Sequence, residues 1–162
     1  MLIYLAGKPE DHEAIQKHAN DLINFGRQLG IEVTIMSKWH INGELAEILA
    51  SSRRIRANVT GESKGTEFGN LENDQSIEAA ANQCRIGIEN ADFVIADMNG
   101  GGIEAGYAIA KGIPLIAVGD AQSPLAYEAN PEVKTYSTWK QAIAYPIGPI
   151  GRRMHQQRLV EK

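Results

Sequence analysis

Apolar residues along this chain follow two rhythms. Continuous apolar runs at Leu2–Ala6 (LIYLA), 31–36 (IEVTIM), 93–96 and 113–118 are too short for helices and read as strands. Between them, Ile15, Ala19, Leu22, Ile23 and Phe25 fall at roughly helical spacing and mark a helix over 10–29, which Gly30 stops. Another helix is predicted over 75–90 and a shorter one over 42–50. Near the end, 134–136 reads as a short edge strand and 137–144 as a last helix capped by Ser137 or Thr138. The stretch 51–73 is polar, carries Arg53, Arg54, Arg56 and Lys64, and reads as a mobile loop. The tail, 146–162, opens with PIGPIG and finishes basic, so it is expected either to be disordered or to dock on a neighbouring subunit.

Strands that alternate with helices build a parallel sheet through right-handed crossovers. The expectation is an α/β protein, with a doubly wound sheet of about five strands in a single domain over 1–145, followed by the tail. Four loops then gather at the carboxyl edge of the sheet, where ligands bind in open α/β folds: 6–10, 37–42, 97–104 and 119–123.

Composition excludes several alternatives. At 162 residues and 43% apolar content, the chain has enough material for one core of normal size. A net charge of −4 gives no footprint for a nucleic-acid polymer. No apolar run approaches the roughly 20 residues of a membrane span, and Met1 leads straight into a strand, so a cytoplasmic protein with no membrane partner is expected. Cys84 is the single cysteine, which rules out an internal disulfide and offers no zinc cluster. His12 and His18 share the first helix without the spacing of a metal pair, and no cofactor is expected.

The most informative unit is 91–118, ADFVIADMNGGGIEAGYAIAKGIPLIAV. A strand breaks into Gly100, Gly101 and Gly102, a helix follows with Glu104 on its first turn, and a second strand closes the unit. The glycines match neither the dinucleotide fingerprint nor a P-loop, and the first strand ends in AGKPED instead. They are either a tight turn or a cradle whose backbone N–H groups bind a phosphate. Glu104 is surrounded by Ile103, Ala105, Gly106, Ala108 and Ile109, so its carboxylate is expected to be partly buried and to need a donor. Tyr4, in the middle of the first strand, is the candidate donor, because that strand should neighbour the third. A hydroxyl that orients one carboxylate oxygen suits a nucleophile in glycosyl transfer. The plain alternative is an acid that serves only the helix dipole. Asp97, which ends the strand, either works at the mouth of the crevice or caps the glycine loop.

The opening IYLAG, the SKW after the second strand, and ENADFVIADMNGGGIEAGYAIAKGIPLI together resemble the nucleoside 2-deoxyribosyltransferase family, which includes 2′-deoxynucleotide N-glycosidases. The resemblance covers most of 1–144 and is weak over 52–73 and in the tail. It implies a flavodoxin-like fold and cleavage or transfer at the N-glycosidic bond of a 2′-deoxynucleoside or its 5′-monophosphate. By that resemblance Glu104 is the nucleophile, Tyr4 positions it, and Gly7 with its neighbours approaches the sugar or its 5′ substituent. A second base or water then completes the reaction. The resemblance also implies a homo-oligomer in which a neighbour completes each pocket, and Ile147, Ile150 and Met154 of the tail are candidates for that contact.

Two positions depart from the family pattern. Its members carry an aspartate on the helix before the third strand, where this chain has Cys84, and a neutral thiol is a poor substitute for an acid. The bland reading of Cys84 is a small buried residue. Transferases of the family carry Asp-Ser-Gly-Thr before the glutamate, whereas this chain has Asn99 in a shorter loop. An amide there can still donate and accept toward a base edge. Three further residues bear on specificity. Trp39 either stacks on a nucleobase or packs on the first helix, and His40 beside it is either a proton donor or simply exposed. Lys8 either meets a 5′-phosphate or is solvated. The competing functional readings are a nucleoside monophosphate N-glycosidase that includes ribonucleotides, a non-catalytic nucleotide-binding module, and a structural module with no small ligand.

Overall fold

The computed structural model describes residues 1–38, 71–119 and 133–161. Strand β1 (Leu2–Ala6) is followed by a short 3-10 turn (Pro9–Asp11), helix α1 (His12–Gln28) and strand β2 (Thr34–Ile35). Helix α2 (Leu71–Glu89), strand β3 (Phe93–Asp97), helix α3 (Gly102–Ala110) and strand β4 (Leu115–Val118) come next. Strand β5 (Val133–Tyr136), helix α4 (Trp139–Ile147) and helix α5 (Pro149–Glu161) complete the described chain. The expected helix over 42–50 lies outside the described residues.

All five strands are parallel and run in the order β2-β1-β3-β4-β5. This is the doubly wound, flavodoxin-like order, in a single α/β domain. The central strands are apolar on both faces because helices cover both: Ile3, Tyr4 and Leu5 of β1, and Phe93, Val94 and Ile95 of β3, are 0% exposed. Helices α1 and α4 pack together, and α2 packs with α3.

Element edges differ from expectation where backbone groups are already engaged. Strand β2 is shorter than 31–36, because the Ile31 amide donates back to the Gly26 carbonyl at 2.8 Å and still closes the end of α1. Gly30, at φ 69°, makes that left-handed exit without the penalty a side chain would bring. Helix α2 begins at Leu71, so 71–73 of the expected polar loop are helical. Thr138 caps α4 as expected, its hydroxyl accepting from the Gln141 amide at 3.4 Å.

Residues 149–161 of the tail form α5, which packs on α4. Proline at the first position opens α5, and Gly151 presses on the Pro146 backbone, where a Cβ would sit 2.5 Å from the Pro146 oxygen. Ile147 is 0% exposed and belongs to the chain's own core, which removes it from any subunit contact. On α5, His155 Nδ1 lies 3.3 Å from Asp92 Oδ2. The same Asp92 oxygen accepts the Leu2 amide at 2.7 Å, while the Asp92 amide donates to the Leu2 carbonyl. One carboxylate therefore fastens β1 and α5 to the start of β3. No described helix is long and apolar enough to cross a membrane.

Asp92→Ala strands the Leu2 amide and releases His155. It is expected to lower unfolding free energy by about 1–3 kcal/mol in urea denaturation, with His155→Ala costing less.

Candidate functional site

Strands β1 and β3 are neighbours, yet their chains leave in opposite directions, β1 toward β2 and β3 toward β4. Their carboxyl ends therefore open a crevice at the topological switch point. Among the described residues two loops line it: the one after Ala6, with Gly7 and Lys8, and the one after Asp97, with Asn99 and the glycines.

The glycine loop is a turn with its first amides used internally. Asp97 Oδ1 accepts the Asn99 amide at 2.9 Å, and the Asp97 carbonyl accepts from Gly100 at 3.1 Å and Gly101 at 2.6 Å. Asp97 thus caps the loop, and neither the Gly100 nor the Gly101 amide faces outward as a phosphate cradle. The glycines are needed for contact. A Cβ on Gly100 would lie 2.2 Å from Lys8 Cγ and 2.8 Å from the Lys8 nitrogen, and one on Gly101 would lie 3.0 Å from the Ala6 carbonyl carbon. The two loops touch through their backbones, and the Lys8 stem crosses Gly100. Gly102 opens α3 in open space.

Glu104 follows on the first turn of α3, half-buried, with exposed Ile103 on one side and buried Ala105 on the other. Tyr4 is fully buried, and its ring lies against α2 at Gly87, where a Cβ would stand 3.0 Å from two ring carbons. One turn earlier on α2, half-buried Cys84 packs against the core that holds Tyr4. Burial pushes the Cys84 thiol up, the Glu104 carboxylate pushes it the same way, and the Tyr4 hydroxyl pulls it down. The Tyr4 hydroxyl and the Glu104 carboxylate, expected to be partners, both act on the Cys84 thiol. The sequence reading took Cys84 as a missing acid or a small buried residue. The glycine one turn later was the signal that this face of α2 lies directly on β1.

The helices that carry Cys84 and Glu104 are clamped at their far ends. Tyr107 of α3 donates to Glu89 Oε1 of α2, and Lys111 approaches the same oxygen at 3.1 Å. Arg85 pairs with Glu89 Oε2 at 3.5 Å. The Tyr107 hydroxyl and the Lys111 ammonium hold the Glu89 carboxyl below the usual carboxylate range.

The remaining expected residues are distributed unevenly. Gly7 is buried against Ile15, Lys8 and Asp97 are half-buried, and Asn99 is exposed. Trp39 and His40 lie outside the described residues, as does 120–123. The sequence missed a different aromatic pair. His18 of α1 stacks on Trp139 of α4, with ring centroids 4.4 Å apart and planes 9° from parallel. Burial pushes the His18 imidazole down, while Asp21 and Asp97 oppose that shift. No pattern in the chain announces this pair, because its members come from distant helices. Among the described residues no three His, Cys, Asp or Glu come together as a metal site.

The architecture defines a flavodoxin-like α/β protein with a half-buried carboxylate, Glu104, on the helical turn that follows its switch-point loop. In comparisons with known proteins, no family model and no curated protein matches this chain.

Gly100→Ala overpacks the loop contact and is expected to cost about 1–3 kcal/mol in urea denaturation, whereas Gly102→Ala is neutral or mildly stabilising. A lowered His18 also sets a sign for pH. The folded state binds that proton more weakly, so His18 contributes stability above its unfolded pKa that is lost as pH falls through the folded one. His18→Gln is expected to flatten the decline in thermal midpoint below pH 7.

Proposed function

We propose that this chain cleaves or transfers at the N-glycosidic bond of a 2′-deoxynucleoside or its 5′-monophosphate, with Glu104 as the nucleophile. The observation that supports the reading best is half-buried Glu104 on the first turn of α3, directly after the loop at the switch-point crevice. A carboxylate there attacks the anomeric carbon, the base departs, and a glycosyl ester forms on the side chain. Water or a second base then attacks the same carbon and frees the carboxylate, as in a retaining mechanism. Tyr4 limits the positions open to the carboxylate, and Asp97 and Asn99 stand at the mouth, with Asn99 offering an amide to a base edge. The Lys8 stem lies against Gly100 of the glycine loop, and Lys8 is the candidate for a 5′-phosphate.

The assembly in this reading is a homo-oligomer in the cytoplasm, with a neighbour completing each pocket. Ile150 of α5, 64% exposed, is an expected tail residue open to such a contact, and the Met154 side chain lies outside the described residues.

One observation favours a second reading. A thiol at position 84, where the resembled family has an acid, suits a nucleotide-binding module that does no chemistry.

The test is chromatographic detection of free base from a panel of 2′-deoxynucleosides, ribonucleotides and 2′-deoxynucleoside 5′-monophosphates, with and without a second base. Release or exchange is expected, falling by about 10³-fold or more in Glu104→Ala. Binding without release from any substrate, in folded protein, would favour the binding module. Lys8→Ala is expected to raise KM for phosphorylated substrates alone.

A further inference from the structure

Helices α1 and α4 pack together, and both lead away from the carboxyl edge of the sheet. Ala19 and Leu22 of α1 join Ala142, Ile143 and Ile147 of α4 in one buried apolar core. Nearer the carboxyl edge, one turn before Leu22 and one turn before Ala142, stand the rings of His18 and Trp139. They lie face to face, with centroids 4.4 Å apart and planes 9° from parallel. The indole therefore covers one face of a half-buried imidazole. The charges that act on this ring are Asp21 and Lys17 of its own helix and Asp97 at the end of β3. Lys140, beside Trp139 on α4, is exposed.

Helix α1 also backs one wall of the crevice. Three residues before His18, buried Ile15 lies against Gly7, where a Cβ would stand 3.1 Å from Ile15 Cδ1 and 3.8 Å from Asp97 Cβ. Just before α1, the Asp11 amide donates to the Lys8 carbonyl at 3.0 Å, and the Lys8 stem crosses Gly100. The start of α1 and the loop after β1 are thus packed as one piece.

We propose that the His18–Trp139 stack is a proton-operated joint, which holds α1 on α4 while the imidazole is neutral and opens when the ring is protonated, loosening the Gly7–Lys8 wall of the crevice. The proposal concerns that wall and holds whatever chemistry the crevice performs. A neutral imidazole shares a face with indole at little electrostatic cost, whereas an imidazolium regains water on that face only by leaving the stack. Burial pushes the imidazole down, further than Asp21 and Asp97 pull it up. Attraction of a cation to the indole face acts in the opposite sense, so the direction of the shift decides between the two. The apolar core beneath the rings does not titrate, which confines the opening to the carboxyl edge.

Proton NMR of the His18 ring reads the joint in the whole chain. At about pH 8 its protons are expected upfield of a free imidazole, shielded by the indole. As pH falls they are expected to move to ordinary positions, with a midpoint below the usual imidazole value of about 6.5. Trp139→Leu is expected to remove the upfield shift and raise the midpoint, and Asp21→Asn to lower it. Ring protons that stay shielded once charged, or a midpoint at or above the usual value, overturn the proposal.

Amide hydrogen exchange over 7–18 reads the consequence for the crevice. Wild type and His18→Gln are compared at each pH, so that intrinsic rates cancel. Below the midpoint the wild-type segment is expected to exchange severalfold faster relative to His18→Gln than it does at about pH 8. A ratio that does not change with pH overturns the proposal, including the case in which Trp139→Leu fails to fold.

Discussion

The parallel pairing of β1 with β3 is the constraint on which the rest of this molecule depends. Ile3 to Ala6 lie beside Phe93 to Ala96 in register, and every one of these residues is 0% exposed. Burying large apolar side chains such as these stabilises a fold by about 1.5–3 kcal/mol each. The pairing also forces the two strands to send their chains in opposite directions, which opens a crevice at their carboxyl ends. At the other edge, Asp92 ties the start of β3 to Leu2 and reaches His155, so the same pair of strands anchors the carboxyl-terminal helix.

From that pairing follow the close approaches that shape the site. The loop after β3 has to fold back over the loop after β1, and glycine at position 100 lets the Lys8 backbone and stem pass. Helix α2 has to cover β1, and Gly87 lets it settle on the Tyr4 ring. The Glu89 clamp fixes α2 against α3 at their far ends. The result is a half-buried thiol on α2, the helix that meets the buried Tyr4 ring, with the Glu104 charge of α3 acting on that thiol. Covering the sheet and assembling the cluster are one packing problem here.

Much of the architecture was legible in the chain. Continuous apolar runs at Leu2–Ala6 and 93–96 announced strands covered on both faces, and alternation with helices implied parallel order. Edges were less legible, because they turn on single hydrogen bonds: the Ile31 amide engaged by Gly26 shortens β2 in a way no apolar pattern reports. The helices of the tail were not legible in its PIGPIG opening, where one proline lies inside α4 and the other starts α5. Within the site, Glu104 and Tyr4 stood out as a carboxylate on an apolar helix and a hydroxyl inside an apolar strand. Cys84 did not, since a cysteine on a helix reads as ordinary packing until its neighbours are known. The His18–Trp139 stack was invisible for the same reason: its members meet only when α1 packs on α4.

The most direct test of Glu104 as nucleophile is intact-protein mass spectrometry after incubation with 2′-fluoroarabino-nucleosides. Fluorine at C2 destabilises the oxocarbenium-like transition state, and a glycosyl ester then accumulates as its breakdown slows. The account predicts a mass gain of one fluoropentosyl group, or its 5′-phosphate, mapped to the peptide that carries Glu104 and absent in Glu104→Gln. An adduct on another residue, or base release from natural substrates with no adduct at all, would contradict it.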